Sequence, residues 1–216
     1  MKSAALIIYD FDGTLVDTLY DIADSVNRAL NELGFPPFGR EAVRPFVGRG
    51  VQNLMTRALE GTGYTGIGQA VTLFRKHYAR HLVEHTGFYP GVRETVEHFS
   101  RLNRRQSILS NKPLDFIEQI LVELDFRDPF QILIGGDSVQ NKKPDPEGLL
   151  KILHDSGITA GETVLVGDSE VDIETGKRAG VRTVGVTYGL GDPAALRASN
   201  PDHLIDRMED LKLLVR

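Results

Sequence analysis

The chain has 216 residues, 41% of them hydrophobic and 25% charged, with a formal net charge of −5 and no cysteine. That length suffices for one domain carrying an insertion, and the composition is that of an ordinary globular protein. The acidic balance argues against a bulk nucleic-acid binder or a polybasic membrane signal, and the missing cysteine excludes disulfides, thiolate metal sites and cysteine nucleophiles.

The first apolar run, Ala4–Tyr9, ends in acids and is too short for a signal-peptide core. No run approaches the roughly 18 apolar residues of a membrane span. A cytoplasmic protein, monomeric or homodimeric, with no membrane or nucleic-acid partner is therefore expected. Further β-branched runs predict strands at Gln106–Leu109, Gln131–Ile134, Thr163–Val166 and Arg182–Val186. Segments with helical spacing separate most of them, which predicts an α/β fold, a Rossmann-like parallel sheet covered on both faces.

The interval between the first two strands is far longer than one crossover helix needs. Within it Ile22, Val26, Ala29, Leu30 and Leu33 repeat at helical spacing until Gly34, Pro36 and Pro37. Gly50–Leu59 and Ile67–Val83 read as further helices, and "GFYPGV" at 87–92 breaks the pattern. The expectation is a helical cap, 16–86, inserted into a core formed by 1–15 and 87–216. Its two junctions, near Asp12 and Gly87, would let it hinge over the strand ends. Later helices are predicted over Arg93–Leu102, Pro113–Leu124, Asp145–Ser156, Glu170–Ala179 and Pro193–Ser199. A short strand and a helix close the chain.

The strands end in polar groups. Asp10 and Asp12 follow the first, with Gly13 permitting a sharp backbone departure. Ser110 and Asn111 follow the second; Gly167 and Asp168 follow a later one, with Asp172 four residues on. Lys143 lies between them in "NKKPDP". Open α/β sheets carry their chemistry at such strand ends. Phosphoryl transfer suits this set: a carboxylate can attack phosphorus and split one hard displacement into two easier ones. Oxygen ligands from Asp10 and Asp168 suit Mg²⁺. Ser110 can hold phosphate oxygens, and Lys143 can offset charge on the phosphate and on Asp172. Crowding by Asp10 would help Asp12 keep the proton a general acid needs. Taken alone, Asp10 and Asp12 fit turn or capping roles as well.

In order and spacing, these segments resemble the haloacid dehalogenase-like superfamily of hydrolases. "DFDGTLVDT" matches its first motif, Ser110 its second, Lys143 its third and "GDSEVD" its fourth. The resemblance covers essentially the whole chain, and the nearest branch is the phosphoglycolate phosphatase group. It implies Asp10 as nucleophile, Asp12 as acid/base, and Asp10, the Asp12 carbonyl and Asp168 as magnesium ligands. Asp172 would orient metal waters or Lys143, and Lys143 is selected over its neighbour Lys142. Halide-removing and phosphonate-cleaving branches lack an acid at the position of Asp12, so its presence argues against both.

The expected function is Mg²⁺-dependent hydrolysis of a small phosphorylated metabolite, phosphoglycolate first, through an aspartyl-phosphate. The alternatives are a mutase of the β-phosphoglucomutase type, a pyrophosphatase or nucleotidase, or a noncatalytic phosphate-binding regulatory module. Arg49, flanked by glycines, suits a substrate carboxylate or a solvated helix start. Asn111 suits substrate phosphate or the turn. His77, His81 and His85 recur every four residues on the helix expected there, a spacing that can serve zinc but more often marks a solvated face.

Overall fold

The computed structural model describes residues 4–215. Strand β1 (Leu6–Tyr9) is buried on both faces. Its side chains alternate, so Ile7 and Tyr9 enter the larger core cluster while Leu6 and Ile8 enter a second one. After it come β2 (Val16–Asp17), α1 (Leu19–Glu32), α2 (Arg40–Val43), α3 (Val51–Ala58), α4 (Ile67–Tyr78) and β3 (Gly87–Phe88). Then follow α5 (Val92–Arg101), β4 (Arg105–Leu109), α6 (Leu114–Glu123), β5 (Ile132–Ile134), α7 (Glu147–Ser156) and β6 (Thr163–Gly167). The described chain closes with α8 (Glu170–Ala179), β7 (Arg182–Val186), α9 (Pro193–Ala198), β8 (His203–Ile205) and α10 (Leu211–Leu214).

Six strands form one parallel sheet in the order β5-β4-β1-β6-β7-β8. Helices cover both faces: Phe99 of α5 and Ile117 of α6 pack with Ile7 and Tyr9, and Leu149 and Ile152 of α7 with Leu6 and Ile8. This is the expected Rossmann-like α/β fold. Because β1 sits between β4 and β6, the winding reverses there, and a crevice opens at the carboxyl ends of these three strands.

The segment between β2 and β3 is helical, and those two short strands pair antiparallel, Val16 with Phe88 and Asp17 with Gly87. α1 stops as Gly34 takes a φ of +81°, a conformation glycine adopts at little cost. Buried Asp21 fastens α1 to the returning chain by accepting from the backbone N–H groups of His85 and Thr86 and from the Thr86 hydroxyl. Ile22, Leu54, Phe74 and Tyr78 of these helices share one core cluster with Tyr9 and Phe116.

The helix expected over Ile67–Val83 ends at Tyr78. Two tight turns follow, Arg80 N–H donating to His77 O and His81 N–H to Tyr78 O, and they let Leu82 bury. The histidines therefore do not share a helix face. His77 meets Glu32 at 2.7 Å, His81 meets Glu84 at 2.6 Å, and His85 stands by Arg40 at 3.3 Å. Among the described residues they form no metal cluster; the one such group lies at the strand ends.

Candidate active site

Three strand ends supply the acids and the hydroxyl. Asp10 leaves β1 with its backbone still laddered, its N–H donating to Val166 O at 2.9 Å. Ser110 leaves β4, and Asp168 leaves β6. All three are buried, as are Lys143 and Asp172. Lys143, from the loop before α7, stands 2.8 Å from Asp10 Oδ1 and 2.5 Å from Asp172 Oδ1. Asp172 also caps α8, its Oδ2 accepting from the Ser169 N–H at 3.1 Å and hydroxyl at 2.6 Å. Its role as a helix cap and its role as a lysine partner are thus met by its two different oxygens.

Glycines make room for Asp168. A Cβ on Gly13, whose φ is +84°, would come within 2.2 Å of Asp168 Oδ2; one on Gly189 would come within 2.5 Å of the same atom. That oxygen accepts from the N–H groups of Leu190 at 2.7 Å and Gly191 at 2.8 Å. Asp10, Asp168 and Asp172 each offer a carboxylate oxygen within 4.8 Å of the others. Crowding at that distance raises proton affinity. Burial, then Asp172, pushes the Asp10 carboxyl up to about 6. Burial, then Asp172 and Asp10, pushes Asp168 up to about 8. Burial works against the Lys143 ammonium, but Asp10 and Asp172 outweigh it and raise its pKa. A buried, oxygen-only, electron-rich cluster fits a hard divalent cation.

Asp12 differs from its expected setting. Its Oδ1 accepts from Thr18 Oγ1 at 2.8 Å and from Lys112 Nζ at 2.8 Å, so its nearest charge is an ammonium rather than the Asp10 carboxylate. Lys112 is the residue that sequence reasoning missed. It is buried and also donates to Tyr78 Oη at 2.7 Å, reaching across to α4. The available signal was its place two residues after the strand-end Ser110, in "SNK".

Asn111 braces loops: its Nδ2 donates at 3.0 Å both to Gly48 O and to Lys143 O. Arg49 does not line the crevice, although Gly48 and Gly50 do. Its guanidinium lies in an exposed ion pair with Glu170 at 2.8 Å. Lys142 is exposed, and Asp17 Oδ1 accepts from Leu19 N–H at the start of α1. The crevice contains Asp10, Asp12, Ser110 and Lys112 and is walled by Ile22, Phe46, Val51, Leu54, Phe74 and Phe116.

The family described as haloacid dehalogenase-like hydrolase matches residues 7–186. The chain belongs to this family. It stands in the phosphoglycolate phosphatase-like branch: it is 39% identical to a phosphoglycolate phosphatase of Pseudomonas putida over 212 residues, spanning 95% of this chain and 78% of that one. A phosphoglycolate phosphatase 1 of Pseudomonas aeruginosa is 37% identical, again over 95% and 78%. A crystal structure of a predicted phosphoglycolate phosphatase from Haemophilus somnus superposes with a TM-score of 0.92 at 28% identity, covering 99% of both chains. This haloacid dehalogenase-like chain is thus an enzyme, a phosphatase. Among its described residues no helix is long and apolar enough to cross a membrane.

Proposed function

We propose that the chain is a Mg²⁺-dependent phosphomonoester hydrolase that works through an aspartyl-phosphate on Asp10, with phosphoglycolate as its substrate. The observation that carries this reading is the position of Asp10: it faces the crevice, holds Lys143 at 2.8 Å and shares a carboxylate cluster with Asp168. Asp10 attacks phosphorus while the bond to the ester oxygen breaks, and Asp12 gives that oxygen its proton. Asp12 then takes a proton from the water that displaces phosphate from Asp10. Ser110 offers its hydroxyl to a phosphate oxygen, and Lys143 offsets the charge between Asp10 and the phosphate. Asp10, Asp168 and the Asp12 carbonyl would hold Mg²⁺, which neutralises phosphate charge and polarises phosphorus toward attack. Helices α1–α4 act as the cap, excluding bulk water when the crevice is filled.

The names of the relatives support phosphoglycolate as the ester. The apolar walls favour a small leaving group over a sugar, because they give sugar hydroxyls few partners; that weighs against the mutase reading. The test is phosphate release from phosphoglycolate, hexose phosphates, nucleotides and pyrophosphate, each with Mg²⁺ and with EDTA. Mg²⁺-dependent release with the highest kcat/KM on phosphoglycolate is expected. Release that EDTA does not lower, or a preference for another ester, overturns the corresponding part.

A further inference from the structure

The crevice has a charge that the reaction outlined above does not use. Among its lining residues Lys112 is the single cation. Its side chain is 4% exposed. An ammonium has three donors, and this one gives two, to Asp12 Oδ1 at 2.8 Å and to Tyr78 Oη at 2.7 Å. Thr18 already donates to the same Asp12 oxygen at 2.8 Å, so Asp12 is held without Lys112. The hydroxyl of Tyr78 stays protonated because burial, then the charges of Asp12 and Asp21, raise its pKa well above the usual value. It is therefore a neutral acceptor, which leaves Asp12 as the one anion hydrogen-bonded to the ammonium. Phe46, Phe74 and Phe116 wall the same space, and in such a low-dielectric setting an ammonium attracts an anion more strongly than it would in water.

We propose that Lys112 is the residue that selects substrates carrying a carboxylate on the leaving group. The inference rests on the reading of Asp12 as the acid that protonates the departing oxygen. That oxygen lies by Asp12, so a group one or two bonds beyond it meets the next charged atom along the wall, the ammonium of Lys112. Tyr78 positions that ammonium from α4. Arg49, the residue the sequence offered for this task, is outside the crevice.

The test compares phosphoglycolate with 2-hydroxyethyl phosphate, which replaces the carboxylate by a neutral CH₂OH. Wild-type enzyme with Mg²⁺ is expected to prefer phosphoglycolate by about tenfold or more in kcat/KM, and Lys112→Met to erase most of that preference, chiefly through KM. Lys112→Arg is expected to keep part of it. An equal fall on both esters assigns Lys112 to Asp12 alone and overturns the inference, as does a wild-type enzyme without preference. Wild type that hydrolyses neither ester would instead sink the proposed function. If Lys112→Met does not fold, Tyr78→Phe decides: the preference should drop about threefold, and an unchanged ratio counts against the proposal.

Discussion

Asp10 and Lys143 hold each other at 2.8 Å with both side chains almost wholly withdrawn from water. A buried ion pair is expensive to half-remove, because the survivor keeps its charge and loses its partner. Here the survivors would be two carboxylates, since Lys143 also serves Asp172. Lys143→Met should lower kcat by about 10³-fold and stability by roughly 3 kcal/mol. Steady-state kinetics and urea unfolding measure the two losses. A variant that kept wild-type turnover would remove Lys143 from the reaction.

Gly13 separates backbone freedom from close approach. Alanine there meets an unfavourable φ of +84° and places a Cβ 2.2 Å from Asp168 Oδ2. Gly157 also has positive φ, +67°, but nothing lies within 4 Å of its Cβ. Gly157→Ala should cost about 1 kcal/mol of stability and leave turnover intact. Gly13→Ala should lose activity by about 10²-fold or more, because Asp168 must move. Comparable activity in both variants would show that the approach of Gly13 to Asp168 is unimportant.

The carboxylate cluster predicts how stability depends on pH without metal. Asp10 and Asp168 rise to about 6 and about 8 in the folded chain, from ordinary values of 3.8. Between these limits the folded state binds more protons than the unfolded state, so the unfolding free energy falls as pH rises. This contribution is complete below about pH 4 and is lost as pH climbs through both folded values. Surface acids such as Glu147, held below their usual range by backbone N–H groups, act in the opposite sense only below about pH 4.5. Mg²⁺ bound by this cluster would replace the protons, so its gain in Tm should be larger at pH 8.5 than at pH 5.5. Thermal scans with Mg²⁺ and with EDTA measure this, and an equal gain at both pH values contradicts it.

Arg49 and Glu170 form an exposed pair, with side chains 55% and 36% accessible. Such pairs contribute little. Arg49→Ala should change stability by less than about 1 kcal/mol and KM for phosphoglycolate by less than about threefold. A tenfold rise in KM would bring Arg49 back to the substrate.

The residues at strand ends were legible because the signal is local: a buried apolar run that stops at Asp10, Ser110 or Asp168 carries its own address. Arg182–Val186 and Glu170–Ala179 form with the expected ends because burial and a glycine stop coincide there. Lys112 was illegible because its meaning comes from Tyr78, on a helix that only the tertiary fold brings to it. The end of α4 was illegible for a related reason. Neither glycine nor proline marks Ala79–Leu82, and the chain turns there because Leu82 buries and because Asp21 waits for the backbone of His85 and Thr86. Arg49 looked like a ligand from its glycine neighbours, yet those glycines reach the crevice while its own side chain goes to Glu170.

The proposed bond between phosphorus and Asp10 during turnover can be caught by acid quenching of enzyme mixed with Mg²⁺ and phosphoglycolate, followed by mass spectrometry of its peptides. A phosphoryl mass increment is expected on the peptide containing Asp10 and is absent from Asp10→Asn. A phosphoryl group on any other residue, or full turnover by Asp10→Asn, would contradict it.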